Sequence, residues 1–268
     1  MSPAPQGSGP LDEGEEAAVR APTRRHLLAV LLLVPTLALV AAPPSGTAPS
    51  PRVTISAGVK VTTDGVRWCS LGPVGHDRAD RAVALLAGHC MDRLGDPLFL
   101  CADQTQGATA CGRAAEPGVI GSYATVSSGF DAEAGEIVDW NIDYSVVALD
   151  PAVTALDAVT PNGLVVERIG EWPALGRDIA CKDGRRTGKT CGLTLSLDRN
   201  VIGTWGAAWF GDSGSPLLVG TGVVAITSTI DPNPAGPFSY VGLAGILEDL
   251  EARGGDPVGA GFVPVPPR

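Results

Sequence analysis

The sequence predicts an all-β protein closed by one short C-terminal helix. Three observations carry that reading. Glycine and proline number 35 and 23 among 268 residues, an abundance that cuts a chain into many turns and short strands. Short apolar or β-branched runs bounded by Gly, Pro, Asp or Asn recur from Val53 onward: 53–62 (VTISAGVKVT), 97–101 (PLFLC), 142–149 (IDYSVVAL), 190–197 (TCGLTLSL), 215–219 (SPLLV) and 222–229 (GVVAITST). Strands at such spacing belong to a barrel or a sandwich. Past the N-terminal segment the one good helical pattern is 241–253 (VGLAGILEDLEAR), with Gly254 as its stop.

A change of composition near Asp150-Pro151, followed by the turn Pro161-Asn162-Gly163, divides the strands into two halves. Residues 254–268 read as a Gly/Pro-rich tail. Hydrophobic residues make up 44% and charged ones 18%, which argues against wholesale disorder. The formal charge of −10 argues against a nucleic-acid binder, because neutralising phosphates takes clustered Lys and Arg.

The apolar stretch Leu27–Ala42 (LLAVLLLVPTLALVAA) follows Arg24 and Arg25 and is interrupted by Pro35. It is shorter than the roughly 20 residues that span a bilayer. It fits a signal peptide over residues 1–42, with a charged start, an apolar middle and a small-residue exit. The run Thr23-Arg24-Arg25-His26-Leu27-Leu28 resembles a twin-arginine export signal. The other reading of the two arginines is an ordinary positive flank, and an uncleaved anchor is the alternative to cleavage. Residues 43–52 read as a Pro/Ser/Gly linker. Removing 1–42 takes away four acids and three bases, so the remainder stays acidic. The expected location is secreted or extracytoplasmic, or membrane-tethered if 27–42 is retained.

All six cysteines lie beyond this segment: Cys69, Cys90, Cys101, Cys111, Cys181 and Cys191. An even count in an exported chain suggests three disulfides, although six cysteines allow 15 pairings. Proximity in sequence suggests Cys101–Cys111 and Cys181–Cys191, which leaves Cys69–Cys90. There is no C-x-x-C, and only His76 and His89 follow the signal, so a zinc site is not expected.

Three segments carry chemistry together. Ala87-Gly88-His89-Cys90 follows the apolar run 82–86, Asn141-Ile142-Asp143-Tyr144-Ser145 places an acid at the head of a strand, and Gly211-Asp212-Ser213-Gly214-Ser215-Pro216 is a glycine-rich turn entering another. A serine is a poor nucleophile at neutral pH and needs a base within hydrogen-bond reach. Histidine suits that role, and a buried carboxylate fixes its tautomer and stabilises the imidazolium. Glycines beside the serine let backbone N–H groups turn toward an oxyanion. Taken singly, each segment is equally well a structural turn; the order His, Asp, Ser with a strand at each is the signal.

The segments AGHC, IDYSVV and GDSGSP resemble the three signatures of trypsin-like serine proteases of the chymotrypsin fold. They are closest to the secreted bacterial branch, similar to streptogrisins and alpha-lytic protease. Trp68-Cys69-Ser70-Leu71-Gly72 and the span Cys181 to Gly192 (CKDGRRTGKTCG) add to the likeness. It implies a protease domain over 53–253 built as two antiparallel six-stranded β-barrels, about 53–150 and 160–253. It also implies His89 as general base and acid, Asp143 as its orienter, Ser213 as nucleophile, and the N–H groups of Gly211 and Ser213 as oxyanion hole. Cys69–Cys90 would tie the strand carrying His89 to its neighbour. Asp212 would be buried against a cation; Lys182, standing where the relatives have arginine, is that partner, with an exposed surface lysine as the other reading.

The sequence departs from the pattern at four places. Ser215 replaces a glycine, Tyr144-Ser145 replaces a small apolar pair, no cysteine precedes the nucleophile, and Gly206-Ala207-Ala208-Trp209-Phe210 stands at the specificity pocket. Ala207, Ala208 and Phe210 are the expected substrate-binding residues. Alanine at 207 cannot attract a cation, so the expected preference before the scissile bond is a small or medium apolar residue rather than Arg or Lys. Trp209 either narrows the pocket or packs into the core. The acidic loop 127–141 is read as solvated rather than as a calcium site. The expected function is an exported serine endopeptidase with a polypeptide substrate, no cofactor, no metal, no nucleic acid and no stable membrane insertion after cleavage. The alternative is a catalytically silent binding module on the same fold. An esterase elbow is set aside, because the final glycine of G-x-S-x-G is replaced by Ser215.

Overall fold

The computed structural model describes residues 52–112, 114–131, 133–228 and 237–268. The signal segment 1–42 and the linker as far as residue 51 lie outside the described residues.

The first barrel is antiparallel. Its hydrogen-bonded order is Cys69–Ser70, Lys60–Thr62, Pro97–Cys101, Ala114–Val126, Ser145–Leu149, Ala82–Leu86, Val74–His76. The two outermost strands are the two ends of one bent segment, 69–76. Inside the bend, Leu71 N–H donates to Val59 O at 2.8 Å on one side and Gly72 N–H to Leu85 O at 2.9 Å on the other. Counted as one strand, this segment closes a six-membered ring. Ala84, Leu86, Leu98, Ile120 and Val147 fill its interior.

The second barrel closes outright. Ile179–Gly184, Gly188–Asp198, Val201–Thr204, Phe238–Gly242, Gly222–Thr227 and Pro216–Val219 pair around a ring, and Pro216–Val219 pairs back onto Ile179–Gly184. Ala180, Ile202, Leu217, Val224 and Tyr240 fill it.

A third cluster sits where the barrels meet. Val83, Leu85 and Val146 of the first barrel pack with Leu218, Val223 and Ile226 of the second. This explains why 82–86 and 146–149 read as unbroken apolar runs: residues of one parity face the barrel interior and those of the other face the opposite barrel. The helix Leu243–Ala252 covers this cluster with Leu243, Ile246 and Leu250, one stripe at helical spacing. It starts two residues later than the pattern indicated, because Val241 and Gly242 still pair as strand with Ile226 and Ala225.

Residues 254–268 are not a tail. Val263–Pro264 pairs antiparallel with Val74–His76, and Ala260 and Phe262 are buried. Asp77 accepts the Gly259 N–H at 3.1 Å. The Gly/Pro composition reflects tight turns on the way to Phe262, which fills the inter-barrel cluster. The disulfides are Cys69–Cys90, Cys101–Cys111 and Cys181–Cys191. Among the described residues no helix is long and apolar enough to cross a membrane.

Candidate active site

His89 sits in a single 3-10 turn, Gly88–Cys90, immediately beyond the strand Ala82–Leu86. Asp143 ends the turn Trp140–Ile142 just before the strand Ser145–Leu149. Those two strands are hydrogen-bonded neighbours, with Ser145 opposite Leu86, so residues 54 apart in sequence arrive side by side. The His89 Nδ1 lies 2.6 Å from Asp143 Oδ2, and the His89 backbone N–H donates to Asp143 Oδ1 at 2.9 Å. Gly88 makes this approach possible, since a Cβ there would meet Asp143 Oδ1 at 2.9 Å and Ile137 at 2.7 Å.

The Asp143 side chain is fully buried. Burial alone would raise its pKa, but the hydrogen bond and charge of His89 and the hydroxyl of Ser228 overcome it, and the carboxyl is held below its ordinary value. Ser228 Oγ donates to Asp143 Oδ2 at 2.6 Å. Sequence reasoning missed Ser228; its position opposite the acid depends on how the second barrel meets the first, which no local motif records. Trp140 lies 5.6 Å from the His89 ring, centroid to centroid.

Ser213 lines the same cleft as His89. Among the described residues no hydrogen bond joins its Oγ to the imidazole; contacts of this kind tighten when substrate orders the nucleophile. Gly211 has φ +99°, a region that suits glycine, and a Cβ there would collide with the ring of Trp68. In this turn the Asp212 N–H is taken by Trp209 O at 2.8 Å and the Gly214 N–H by Thr227 O at 2.7 Å. The N–H groups of Gly211 and Ser213 have no acceptor among the described residues.

Asp212 and Lys182 are both fully buried, with Lys182 Nζ 3.4 Å from Asp212 Oδ2. Burial draws the lysine below its ordinary pKa and Asp212 opposes that. The carboxylate is held more closely by other donors: Arg186 N–H at 2.9 Å, Thr187 N–H at 3.1 Å, Thr187 Oγ1 at 2.7 Å and Trp209 N–H at 2.9 Å. It therefore fastens the nucleophile turn to the hairpin tip 184–188. Lys182 also donates to Gly188 O at 2.8 Å and to Thr187 Oγ1.

The departures from the motif pattern find partners. Tyr144 is buried and its hydroxyl donates to Asp249 of the helix at 2.6 Å. Ser215 Oγ pairs with Thr227 Oγ1 at 2.7 Å. Where no disulfide braces the pocket segment, the Tyr240 hydroxyl donates to Gly206 O at 3.2 Å. The three expected substrate contacts separate. Ala207 is exposed, Ala208 is 1% exposed and packed in the second-barrel core, and Phe210 is 71% exposed on the cleft that His89 and Ser213 line. Trp209 does not fill the core: it is 41% exposed, lines the cleft with Phe210 and stands edge-on to that ring at 5.7 Å. The opposite wall of the pocket, expected within Ile226–Ile230, is described only as far as Ser228. Among the described residues no group of three His, Cys, Asp or Glu is placed to hold a metal ion.

No family model matches the chain, and no curated protein matches it. Solved structures do. Nocardiopsis protease (NAPase) superposes with a TM-score of 0.54 at 19% identity, covering 73% of this chain and 96% of its own. Thermobifida fusca protease A gives 0.53 at 21%, covering 73% and 95%. Cellulomonas bogoriensis chymotrypsin gives 0.54 at 23%, covering 80% and 99%. The fold is the chymotrypsin fold. In chymotrypsin-fold terms, His89 and Asp143 belong to the first barrel, Ser213 to the second, and the cleft lies along their junction.

Proposed function

We propose that this chain is an exported serine endopeptidase similar to the secreted bacterial enzymes of this fold. The observation that carries the reading is the hydrogen-bonded chain Ser228–Asp143–His89 facing, across one cleft, Ser213, whose own N–H and that of Gly211 have no acceptor among the described residues. Ser213 Oγ attacks the peptide carbonyl while its proton passes to His89 Nε2. Asp143 holds the Nδ1 proton and stabilises the imidazolium. The N–H groups of Gly211 and Ser213 receive the oxyanion. His89 then protonates the leaving amine, and water repeats the sequence on the acyl-enzyme. The neighbours named as proteases support this direction, and Ala207 supports a small or medium apolar residue before the scissile bond.

Export, through the signal at 1–42, agrees with three disulfides, which persist in oxidising compartments. The test is digestion of a denatured polypeptide with mapping of cleavage sites. Cuts after small or medium apolar residues, abolished by Ser213→Ala, are expected. Cuts dominated by Arg and Lys would overturn the specificity, and identical digestion by the variant would overturn the assignment.

A further inference from the structure

Lys60 is fully buried, and the catalytic steps above give it no part. A buried ammonium is costly unless the fold supplies it with partners. Lys60 Nζ donates to Ala110 O at 3.1 Å and to Ala108 O at 3.4 Å. It also stands 4.5 Å from the centroid of the Trp68 ring, a cation over an aromatic face. The Lys60 backbone is held as well: Gln104 Oε1 accepts its N–H and Gln104 Nε2 donates to its carbonyl, both at 2.8 Å. Ala108, Ala110 and Gln104 belong to one loop, 101–111, whose ends are joined by Cys101–Cys111.

Two routes lead from this loop to the turn that carries Ser213. On the first, Trp68 Nε1 donates to Thr109 O at 3.2 Å, and the Trp68 ring lies so close to Gly211 that a Cβ there would collide with it. On the second, the Gly107 N–H donates to Arg185 O at 2.9 Å, Arg186 Nη1 donates to Gly107 O at 3.0 Å, and the Arg185 guanidinium donates to Gln104 O. The hairpin tip held in this way gives the Arg186 and Thr187 N–H groups to Asp212. One loop therefore reaches both Gly211 and the residue before Ser213. We propose that the loop 101–111, seated on Lys60, fixes the turn 211–213 in its reactive shape, and that Lys60 is a positioning residue for the reaction. This rests on the catalytic reading above, in which Gly211 and Ser213 receive the oxyanion. Contacts made to an oxyanion act on the transition state, so a loosened turn lowers kcat and leaves KM nearly unchanged. A lysine that only supports the fold would lower the unfolding midpoint and leave kcat of the folded enzyme alone.

The test compares the full chain with Lys60→Met and Gln104→Ala. Methionine keeps most of the length of lysine and removes its donors. In Lys60→Met, kcat on one peptide substrate and the rate of fluorophosphonate labelling should each fall at least about tenfold, with KM within about twofold of wild type. Gln104 is half-buried, so its replacement leaves a foldable chain and decides the matter if Lys60→Met does not fold; it should move both rates in the same direction. Hydrogen exchange at the Asp212 and Gly214 amides, both bonded in this turn, should quicken in the variants. Wild-type labelling, kcat and exchange in the folded variants would overturn the proposal, whatever the change in stability. The wild-type protein separates the two ideas. Labelling that neither variant alters sinks the brace and leaves the hydrolase; quickened exchange in the variants of a protein that never labels sinks the hydrolase and leaves the brace.

Discussion

Ser70 of the first barrel is hydrogen-bonded to Ser213 of the second: its N–H donates to the Ser213 carbonyl at 2.9 Å. Its hydroxyl donates to Gly211 O at 2.7 Å and accepts from Arg185 N–H at 2.9 Å. One buried residue, through its backbone N–H and its hydroxyl, therefore grips the peptide groups on both sides of the Asp212–Ser213 amide, whose N–H is a proposed oxyanion donor. Ser70→Ala leaves a buried carbonyl and N–H unpaired, which costs about 1–3 kcal/mol. It should also slow fluorophosphonate labelling about 10- to 100-fold, because small misplacements of catalytic groups are expensive. Denaturant unfolding and labelling rates check both. Wild-type labelling in a destabilised variant would show that Ser70 only holds the fold.

Asp143→Asn keeps the shape of the side chain but reverses its hydrogen bonding to His89, favouring the wrong tautomer. Turnover should fall about 10⁴-fold. Ser228→Ala should fall much less, since the carboxylate keeps two bonds from His89. Steady-state kinetics on one peptide substrate rank the pair.

Asp212→Ala should destabilise more than Lys182→Met. The carboxylate anchors four donors besides the lysine, whereas Lys182→Met leaves those four in place. Breaking a buried pair costs about 3–5 kcal/mol, and the lysine variant should sit at or below the lower end. Urea midpoints at fixed pH give the order.

Phe262→Ala should cost about 3–5 kcal/mol, since the ring is 1% exposed in the inter-barrel cluster. A loss below 1 kcal/mol in denaturant unfolding would return 254–268 to the status of a tail.

Asp77 supplies a pH signature. Burial pushes its pKa up, but the N–H groups of Gly259 and Arg81 and the Arg81 guanidinium prevail and hold it below the ordinary value. The unfolded chain then binds the proton more readily, so the stabilisation is complete above about pH 4 and disappears as pH falls through the lower folded value. The stability gap between wild type and Asp77→Asn should be constant from pH 7 to about 4.5 and narrow at lower pH. A gap that widens on acidification would contradict the assignment.

Much of this was legible because it is local. His89, Asp143 and Ser213 each sit at a strand end within a short motif, and the strand runs themselves mark both barrels. What escaped was set by packing between distant elements. Ser228 meets Asp143 across 85 residues, Ser70 meets Gly211 across 141, and neither carries a motif of its own. Phe262 lies within a run of Gly and Pro whose composition suggests a tail, and only the cavity it fills makes it core. Phe210 was expected at the specificity pocket as part of the run 206–210, which fixes its place along the chain but not which side of the turn its ring occupies.

The central claim is an activated serine beside an open oxyanion site. The most direct measurement is reaction of the folded, disulfide-bonded chain with a fluorophosphonate, alongside Ser213→Ala and His89→Ala. The account predicts stoichiometric labelling of Ser213, absent in the first variant and slowed by at least about a thousandfold in the second. A folded protein that stays unlabelled, or one labelled equally in all three forms, would contradict it.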